Sequence, residues 1–221
     1  MSTIQHLIDA VRAEAHREPF PVDLPVYEKN GKDPQEPVLF AGNPSAAFCV
    51  FGRDLGKDEV RLGQPLIGAG GRLVREGLLR AFTQEAPLKA DKTLEKALDF
   101  ALLTNTVPYK PPGNKAYPDR VKERFRPFVA ELLVSGWKGT RVITLGTEAF
   151  QWFARYASDD AAKTFWARED RYEADFPCTL ISASGEKPIT VLPLPHPSPL
   201  NARWYKHFPG LLDRRLASLE A

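Results

Sequence analysis

The chain is poor in cysteine and lacks a long apolar run. Its 221 residues include two cysteines, Cys49 and Cys178, which excludes a disulfide framework and any site that needs four cysteine thiolates. No apolar run approaches the roughly 20 residues that a membrane-spanning helix requires, and the charged N-terminal segment is unlike a signal peptide. We therefore expect a soluble, cytoplasmic protein that does not contact a membrane.

An excess of one charge is missing as well. Thirty Lys and Arg residues oppose 28 Asp and Glu residues, for a net charge of +2, so the molecule is not a polycation that binds nucleic acid through its total charge. Basic residues do gather locally, six against two acids in 110–126 and four against one acid in 196–215. Both segments are candidates for a DNA-binding surface, although a solvated helix face explains residues 120–126 equally well.

Apolar periodicity predicts one α/β domain. Helical spacing of apolar residues predicts helices at 3–18, 70–82, 118–134, 147–156 and 208–219. Short apolar runs between turns predict strands at 46–51, 100–104, 141–145, 178–182 and 189–194. Strands that alternate with helices favour a parallel-rich sheet covered on both faces. We expect one domain over residues 1–221, of which 1–36 form an N-terminal helix and a connector.

Ligands of such sheets bind where loops leave the carboxyl ends of the strands, and three loops here meet that condition. The first loop follows the strand 46–51 and contains Arg53, Asp54 and Leu55. The glycines around it let the backbone approach a ligand while the carboxylate points into the crevice. The alternative is a plain strand-to-helix turn with an exposed acid.

The other two loops contain an amide and an imidazole. Asn105 directly follows an apolar strand, and its side chain offers both a donor and an acceptor, which suits the edge of a base. An Asx turn is the alternative. His196 lies between Pro195 and Pro197, so it has little conformational freedom and can present one ring nitrogen in a set direction. A surface histidine is the alternative there.

Taken together, these motifs resemble the uracil-DNA glycosylase superfamily. HPSPLN at 196–201 resembles the second motif of that family, and FGRDLG at 51–56 resembles the first. GQPLIGAGGRLV at 63–74 and TNTVPYKPPGNK at 104–115 resemble the branch that carries an iron–sulfur cluster. The resemblance runs from about residue 37 to 212, and it implies a single three-layer α/β/α domain with a central, mainly parallel four-stranded sheet. It also implies excision of uracil from DNA.

Four departures from the family bear on the chemistry. The cysteines of the iron–sulfur branch are missing, both near residues 15–18 and at Tyr109 or Lys110, so no cofactor and no metal are expected. In that branch the acid directly follows the first glycine, where this chain has Arg53, and Asp54 comes one position later. The other two departures are at Gly56, where the cluster-free branch has a tyrosine that excludes thymine, and at Leu66, where the iron–sulfur branch has the aromatic side chain that stacks on uracil.

The resemblance assigns roles to the residues of the three loops. Asp54 would orient the attacking water, and His196 would stabilise the departing base. Asn105, Leu66 and the backbone N–H groups of Arg53–Leu55 would bind that base, and Leu200 would fill the gap that it leaves in the duplex. The other DNA contacts would come from Lys110, Lys115, Ser198, Asn201, Arg203 and Lys206.

We thus expect a monofunctional, monomeric glycosylase whose partner is DNA containing uracil or another deaminated base. Two other functions are compatible with the sequence. A glycosylase of the same fold could remove a different damaged or mismatched base, which Leu66 and Gly56 permit. A non-catalytic binder of damaged DNA is favoured by Arg53, whereas Asp54 and His196 argue against it.

Overall fold

A computed structural model of the protein describes residues 3–83, 94–113 and 115–218. Within these residues a six-stranded sheet has the order β1-β3-β2-β4-β6-β5. Its strands are β1 (Phe40–Gly42), β2 (Phe48–Gly52), β3 (Leu102–Asn105), β4 (Arg141–Leu145), β5 (Phe176–Ser182) and β6 (Gly185–Leu194).

The sheet is parallel in its centre and antiparallel at both edges. Strands β3, β2, β4 and β6 run parallel, whereas β1 pairs antiparallel with β3 and β5 pairs antiparallel with β6. The expected mainly parallel sheet is therefore confirmed, but it has six strands rather than four. Strand β1 is only three residues long, too short to give a periodic pattern. Strand β5 forms a hairpin with β6, so it extends the sheet without a crossover helix.

Helices cover both faces of this sheet. Residues alternate along β2, so that Cys49 and Phe51 belong to one buried cluster and Phe48 and Val50 to the other. The three-layer α/β/α arrangement is thus confirmed. The helices are α1 (Thr3–Arg17), α2 (Leu24–Lys29), α3 (Lys57–Leu62), α4 (Ala69–Thr83), α5 (Asp119–Glu131), α6 (Thr147–Ala154), α7 (Asp159–Trp166), α8 (Ala202–Tyr205) and α9 (Phe208–Ala217).

The two helical layers are built from different parts of the chain. Helices α1, α5 and α6 pack on the face that carries Cys49, whereas α4 and α9 pack on the face that carries Val50. All five predicted helices are present, although α5 ends in a π-helical turn at Leu132–Gly136, and position 219 lies outside the described residues. None of the described helices combines the length and apolar character needed to cross a bilayer.

The strand register places the predicted loops side by side. Phe51 is opposite Thr104 in β3 and Thr144 in β4, and Thr144 is opposite Pro193 in β6. Strands β2, β3 and β6 therefore end at one edge of the sheet. The loops that contain Asp54, Asn105 and His196 all leave from that edge.

Candidate functional site

A cavity of about 720 Å³ opens at the carboxyl edge of the sheet. It lies where β2, β3 and β6 end, and the turn before α4 closes one side of it. Nine of the residues that the sequence predicted for the site line this cavity: Arg53, Asp54, Leu55, Leu66, Asn105, His196, Ser198, Leu200 and Asn201. Lys110, Lys115, Arg203 and Lys206 do not line it.

Asp54 is a buried acid and not the exposed acid of a plain turn. Its side chain is 3% exposed, and Arg53 Nε lies 3.0 Å from its Oδ2. The Oγ1 of Thr106 is 3.5 Å from its Oδ1, and the backbone N–H of Tyr117 also donates to the carboxylate. Burial raises the pKa of Asp54 to about 6, against the opposing effect of the Arg53 charge. Asp54 is therefore mainly ionised at neutral pH, and it becomes protonated as the pH falls through about 6.

Glu59 ties the first loop to the turn that precedes α4. Its buried carboxylate accepts hydrogen bonds from three backbone N–H groups, those of Gly56 at 3.0 Å and of Ile67 and Gly68 at 2.9 Å each. The sequence argument did not place Glu59 in the site. Its position three residues after Gly56 matches the spacing of a capping box, a signal that could have identified it. The bonds of Glu59 fix the two walls of the cavity relative to each other.

Leu66 is held in a backbone conformation that leucine rarely adopts. Its φ is +56°, in the left-handed region that costs a non-glycine residue free energy. The buried guanidinium of Arg75 donates to the carbonyl oxygens of Leu66 at 2.9 Å and of Pro65 at 3.0 Å. This clamp places the Leu66 side chain as an apolar part of the cavity wall.

Asn105 carries an unused acceptor. Its side chain lies in the cavity wall, the residue is 3% exposed, and Oδ1 has no hydrogen-bond partner among the described residues. A Cβ atom at Gly52 would lie 2.8 Å from Asn105 Nδ2 and 3.1 Å from Leu66 Cδ2, so only glycine lets these side chains converge. Because a buried polar atom without a partner is costly, the orphan oxygen points to a ligand or water rather than to an Asx turn.

His196 is exposed at the cavity wall on a rigid loop. Its carbonyl oxygen accepts from Ser198 N–H at 2.9 Å and from Asn201 Nδ2 at 3.1 Å. Gly146, with a φ of +90°, packs against the ring: a Cβ there would lie 2.9 Å from His196 Cβ. Partial desolvation and the charge of Arg53 both lower the pKa of the imidazole, so the neutral form predominates at neutral pH.

Leu200 projects from the third loop into solvent. It is 95% exposed, so it does not pack against Trp204 or Phe208. The hydroxyl of Ser198 accepts from its backbone N–H at 3.2 Å, which helps to fix the loop. The nearby Arg203 and Lys206 are exposed on and after α8, as is Lys115 in the second loop.

Lys110 was expected to contact DNA, and its position contradicts that expectation. It is 3% exposed, and its ammonium lies 2.7 Å from Asp23 Oδ2. It also donates to the carbonyl oxygens of Pro111 and Gly113, so it ties the second loop to α2. Although this segment is basic in sequence, the ammonium group of Lys110 makes its contacts within the protein.

Three of the four basic residues of α5 are likewise engaged within the protein, whereas Arg120 is exposed. Lys122 pairs with Glu148, Arg124 with Glu14 and Arg126 with Glu123. These contacts offset much of the local charge that the sequence showed. The expectation of a DNA surface along 120–126 does not fit Lys122, Arg124 and Arg126 in this arrangement.

Replacing Lys110 by Met is expected to lower the free energy of unfolding by about 3 kcal/mol, because removing one partner of a buried ion pair leaves an uncompensated charge. The salt dependence of DNA affinity is expected to stay unchanged, since no phosphate contact is lost. Chemical denaturation and binding titrations at several salt concentrations measure both effects. Lys115→Met, at an exposed lysine, is the control: it should leave the free energy of unfolding unchanged and reduce the salt dependence of DNA affinity. A normal stability with a reduced salt slope for Lys110→Met would restore Lys110 as a DNA contact.

The residues present do not fit the iron–sulfur cluster of the similar branch. The Tyr109 ring is buried, packs 5.1 Å from Phe20 and 5.3 Å from Phe125, and its hydroxyl donates to the Gln35 carbonyl at 3.0 Å. Cys49 and Cys178 are both buried, in β2 and β5, with β4 and β6 between them. Two separated thiols cannot supply the four ligands of a cluster.

Comparison with known proteins assigns the family. No curated protein matches the chain. The family model described as "Uracil DNA glycosylase superfamily" matches residues 39–220. This match covers every strand of the sheet and all three loops of the cavity. The chain belongs to the uracil-DNA glycosylase superfamily, a superfamily of DNA glycosylases.

Proposed function

We propose that the protein is a repair glycosylase that flips uracil, or a related deaminated base, out of DNA and hydrolyses its N-glycosidic bond. The observation that carries this proposal is the convergence of Asp54, Asn105 and His196 on one cavity, from three loops distant in sequence. An enzyme that acts on a base must take it out of the stack, and a cavity of about 720 Å³ has room for one. No metal is assigned a role in this proposal.

The proposed reaction creates a negative and a positive charge, and each catalytic group stabilises one of the two. The electron pair of the glycosidic bond leaves with the base, so the base becomes anionic and the sugar cationic. Asp54 as a carboxylate favours the cationic sugar, orients the water that adds to it and takes the proton of that water. The neutral imidazole of His196 donates a hydrogen bond to the anionic base. One such pre-placed donor is typically worth about 2.7–4 kcal/mol in the transition state.

Recognition of the base is assigned to the amide of Asn105. Its unpartnered Oδ1 can accept from an imide N–H and its Nδ2 can donate to a neighbouring carbonyl. The backbone N–H groups of Arg53–Leu55 assist, and Leu66 covers an apolar part of the base. The absence of an aromatic side chain at Leu66, together with Gly56 in the first loop, favours a second candidate function: excision of a different deaminated or mismatched base.

The test is a panel of DNA duplexes that each contain one lesion. Uracil, hypoxanthine, xanthine and mismatched thymine are offered separately, and abasic products are cleaved with alkali. Cleavage that is strongest at uracil supports the proposal, and preference for another base supports the second candidate. Tight binding to a lesion without any cleavage would replace both with a non-catalytic binder. The Asp54→Asn variant controls for contaminating glycosylases.

Contacts with the DNA strand are proposed for the exposed residues around the cavity. Arg203 and Lys206 follow the third loop directly and would neutralise phosphates, and Lys115 would do so from the second loop. Ser198 and Asn201 also line the cavity, while their hydrogen bonds hold the loop in shape.

Leu200→Ala is expected to slow excision from duplex DNA by about tenfold or more, the equivalent of roughly 1.4 kcal/mol. An exposed leucine on a rigid loop can enter the base stack and offset part of the unstacking cost of a few kcal/mol. Single-stranded DNA lacks most of that cost, so its excision should change little.

Single-turnover rates on matched duplex and single-stranded substrates measure the difference. Leu24→Ala, at another exposed leucine on α2, is the control and should leave both rates unchanged. Equal losses on both substrates for Leu200→Ala, with a lower melting temperature, would assign Leu200 to packing of the loop.

A further inference from the structure

Arg53 brings a positive charge into a cavity otherwise lined by acidic and neutral side chains. Among the described residues that line the cavity, no other is a lysine or arginine. Its side chain is 34% exposed, whereas that of Asp54 is 3% exposed, and Nε lies 3.0 Å from Asp54 Oδ2. The guanidinium therefore extends from a buried carboxylate toward the open cavity.

A buried carboxylate needs a compensating charge to remain ionised. Besides Arg53, the charged groups that act on Asp54 are Lys122 of α5 and Glu148 of α6, and their effects have opposite signs. These two side chains also pair with each other, so the effect of each on Asp54 opposes that of the other. The other neighbours, Tyr117 and Thr106, are uncharged. Arg53, whose Nε lies 3.0 Å from Asp54 Oδ2, is thus the charged group that most strongly opposes the effect of burial on Asp54.

Arg53 and His196 line the same cavity, so the guanidinium charge also bears on the imidazole. Partial desolvation lowers the pKa of the His196 imidazole, and the charge of Arg53 lowers it further. A cation nearby disfavours imidazolium and favours carboxylate. One positive charge therefore acts on both groups in the direction that hydrolysis needs.

We propose that Arg53 is a positioning residue whose positive charge keeps Asp54 as a carboxylate and His196 as a neutral imidazole at neutral pH. This inference rests on the proposed function, in which those two states orient the water and donate to the departing base. Arg53 itself transfers no proton and forms no bond with the sugar.

The first test is the pH dependence of single-turnover excision by Arg53→Gln, Arg53→Lys and the wild type. Loss of the charge should move the acid limb of the profile to higher pH. The rate of Arg53→Gln should fall about tenfold or more near pH 6 and much less near pH 8.5, because activity follows the ionised base and neutral donor. Arg53→Lys keeps the charge and should largely restore the wild-type profile. Arg61→Gln, which removes an exposed arginine paired with Asp58 on α3, should have no effect.

The second test uses DNA-free protein and does not require activity. NMR titration of the His196 imidazole and the Asp54 carboxyl carbon should show both groups titrating at higher pH in Arg53→Gln than in wild type. Unchanged titrations would overturn the inference, and so would an equal loss of rate at every pH, which would instead make Arg53 a direct substrate contact. If the wild type excises no base, the proposed function fails, and the titrations still decide whether Arg53 controls these two ionisations.

Discussion

Replacing Asp54 by Asn is expected to reduce base excision by about 10²-fold or more, while the affinity for lesion-containing DNA stays within a few-fold. The amide has the same shape, but it can neither accept the proton of the water nor stabilise the positive charge on the sugar.

His196→Ala should cause a loss of similar size, because it removes the hydrogen-bond donor that stabilises the anionic base. Single-turnover rates and equilibrium binding to the same oligonucleotide separate the two effects.

A matched control is available four residues away. Asp58→Asn removes the same charge from a partly exposed side chain that pairs with Arg61 on α3, and we expect it to keep the wild-type rate. Wild-type rates in Asp54→Asn would show that the acid lies elsewhere. Glu59 would then be the next residue to test, although its carboxylate already accepts three backbone N–H groups.

Asn105→Asp is expected to lower excision of the preferred base by about 10²-fold and to change the order of preference among bases. A carboxylate at this buried place cannot donate to a carbonyl, and it repels the anion that forms on the departing base. The affinity for undamaged DNA should stay nearly constant, because no phosphate contact changes.

The lesion panel used for the wild type measures this change. Asn43→Asp is the matched control: Asn43 precedes β2, at the opposite edge of the sheet, and its Oδ1 accepts from Ser45 N–H at 2.9 Å. Aspartate can make the same turn and loses only the exposed bond from Asn43 Nδ2 to the Asp99 carbonyl at 3.1 Å, far from the cavity, so that variant should excise normally. An unchanged rate and base profile in Asn105→Asp would leave Asn105 without a role in recognition.

The place of the site could be predicted from the sequence because it depends on topology. Parallel strands end at a common edge, so Asp54, Asn105 and His196 had to approach one another once their strands were recognised. Lys110 shows the limit of that argument. Its charge is visible in the sequence, but its partner Asp23 is 87 residues away, and only the folded chain brings the two together.

Features that arise from tertiary contacts gave no periodic signal. The left-handed backbone of Leu66 depends on the guanidinium of Arg75, which no local pattern of apolar residues reveals. Strand β1 is stabilised by pairing with β3 rather than by its own sequence. Strand β1 was therefore missed, whereas the parallel centre of the sheet and the edge strand at 178–182 were predicted.

The order of the strands has a consequence for chain synthesis. Strand β6 lies between β4 and β5 and leads directly to His196, while Asp54 and Asn105 follow β2 and β3, which are made much earlier. A domain generally folds as a unit, so the loops that contain the acid, the amide and the imidazole reach their final positions together, after β6 has been synthesised. A partly synthesised chain would lack the donor to the leaving base. The capacity to cut a base out of DNA would then appear only once the last strand has docked between its two neighbours.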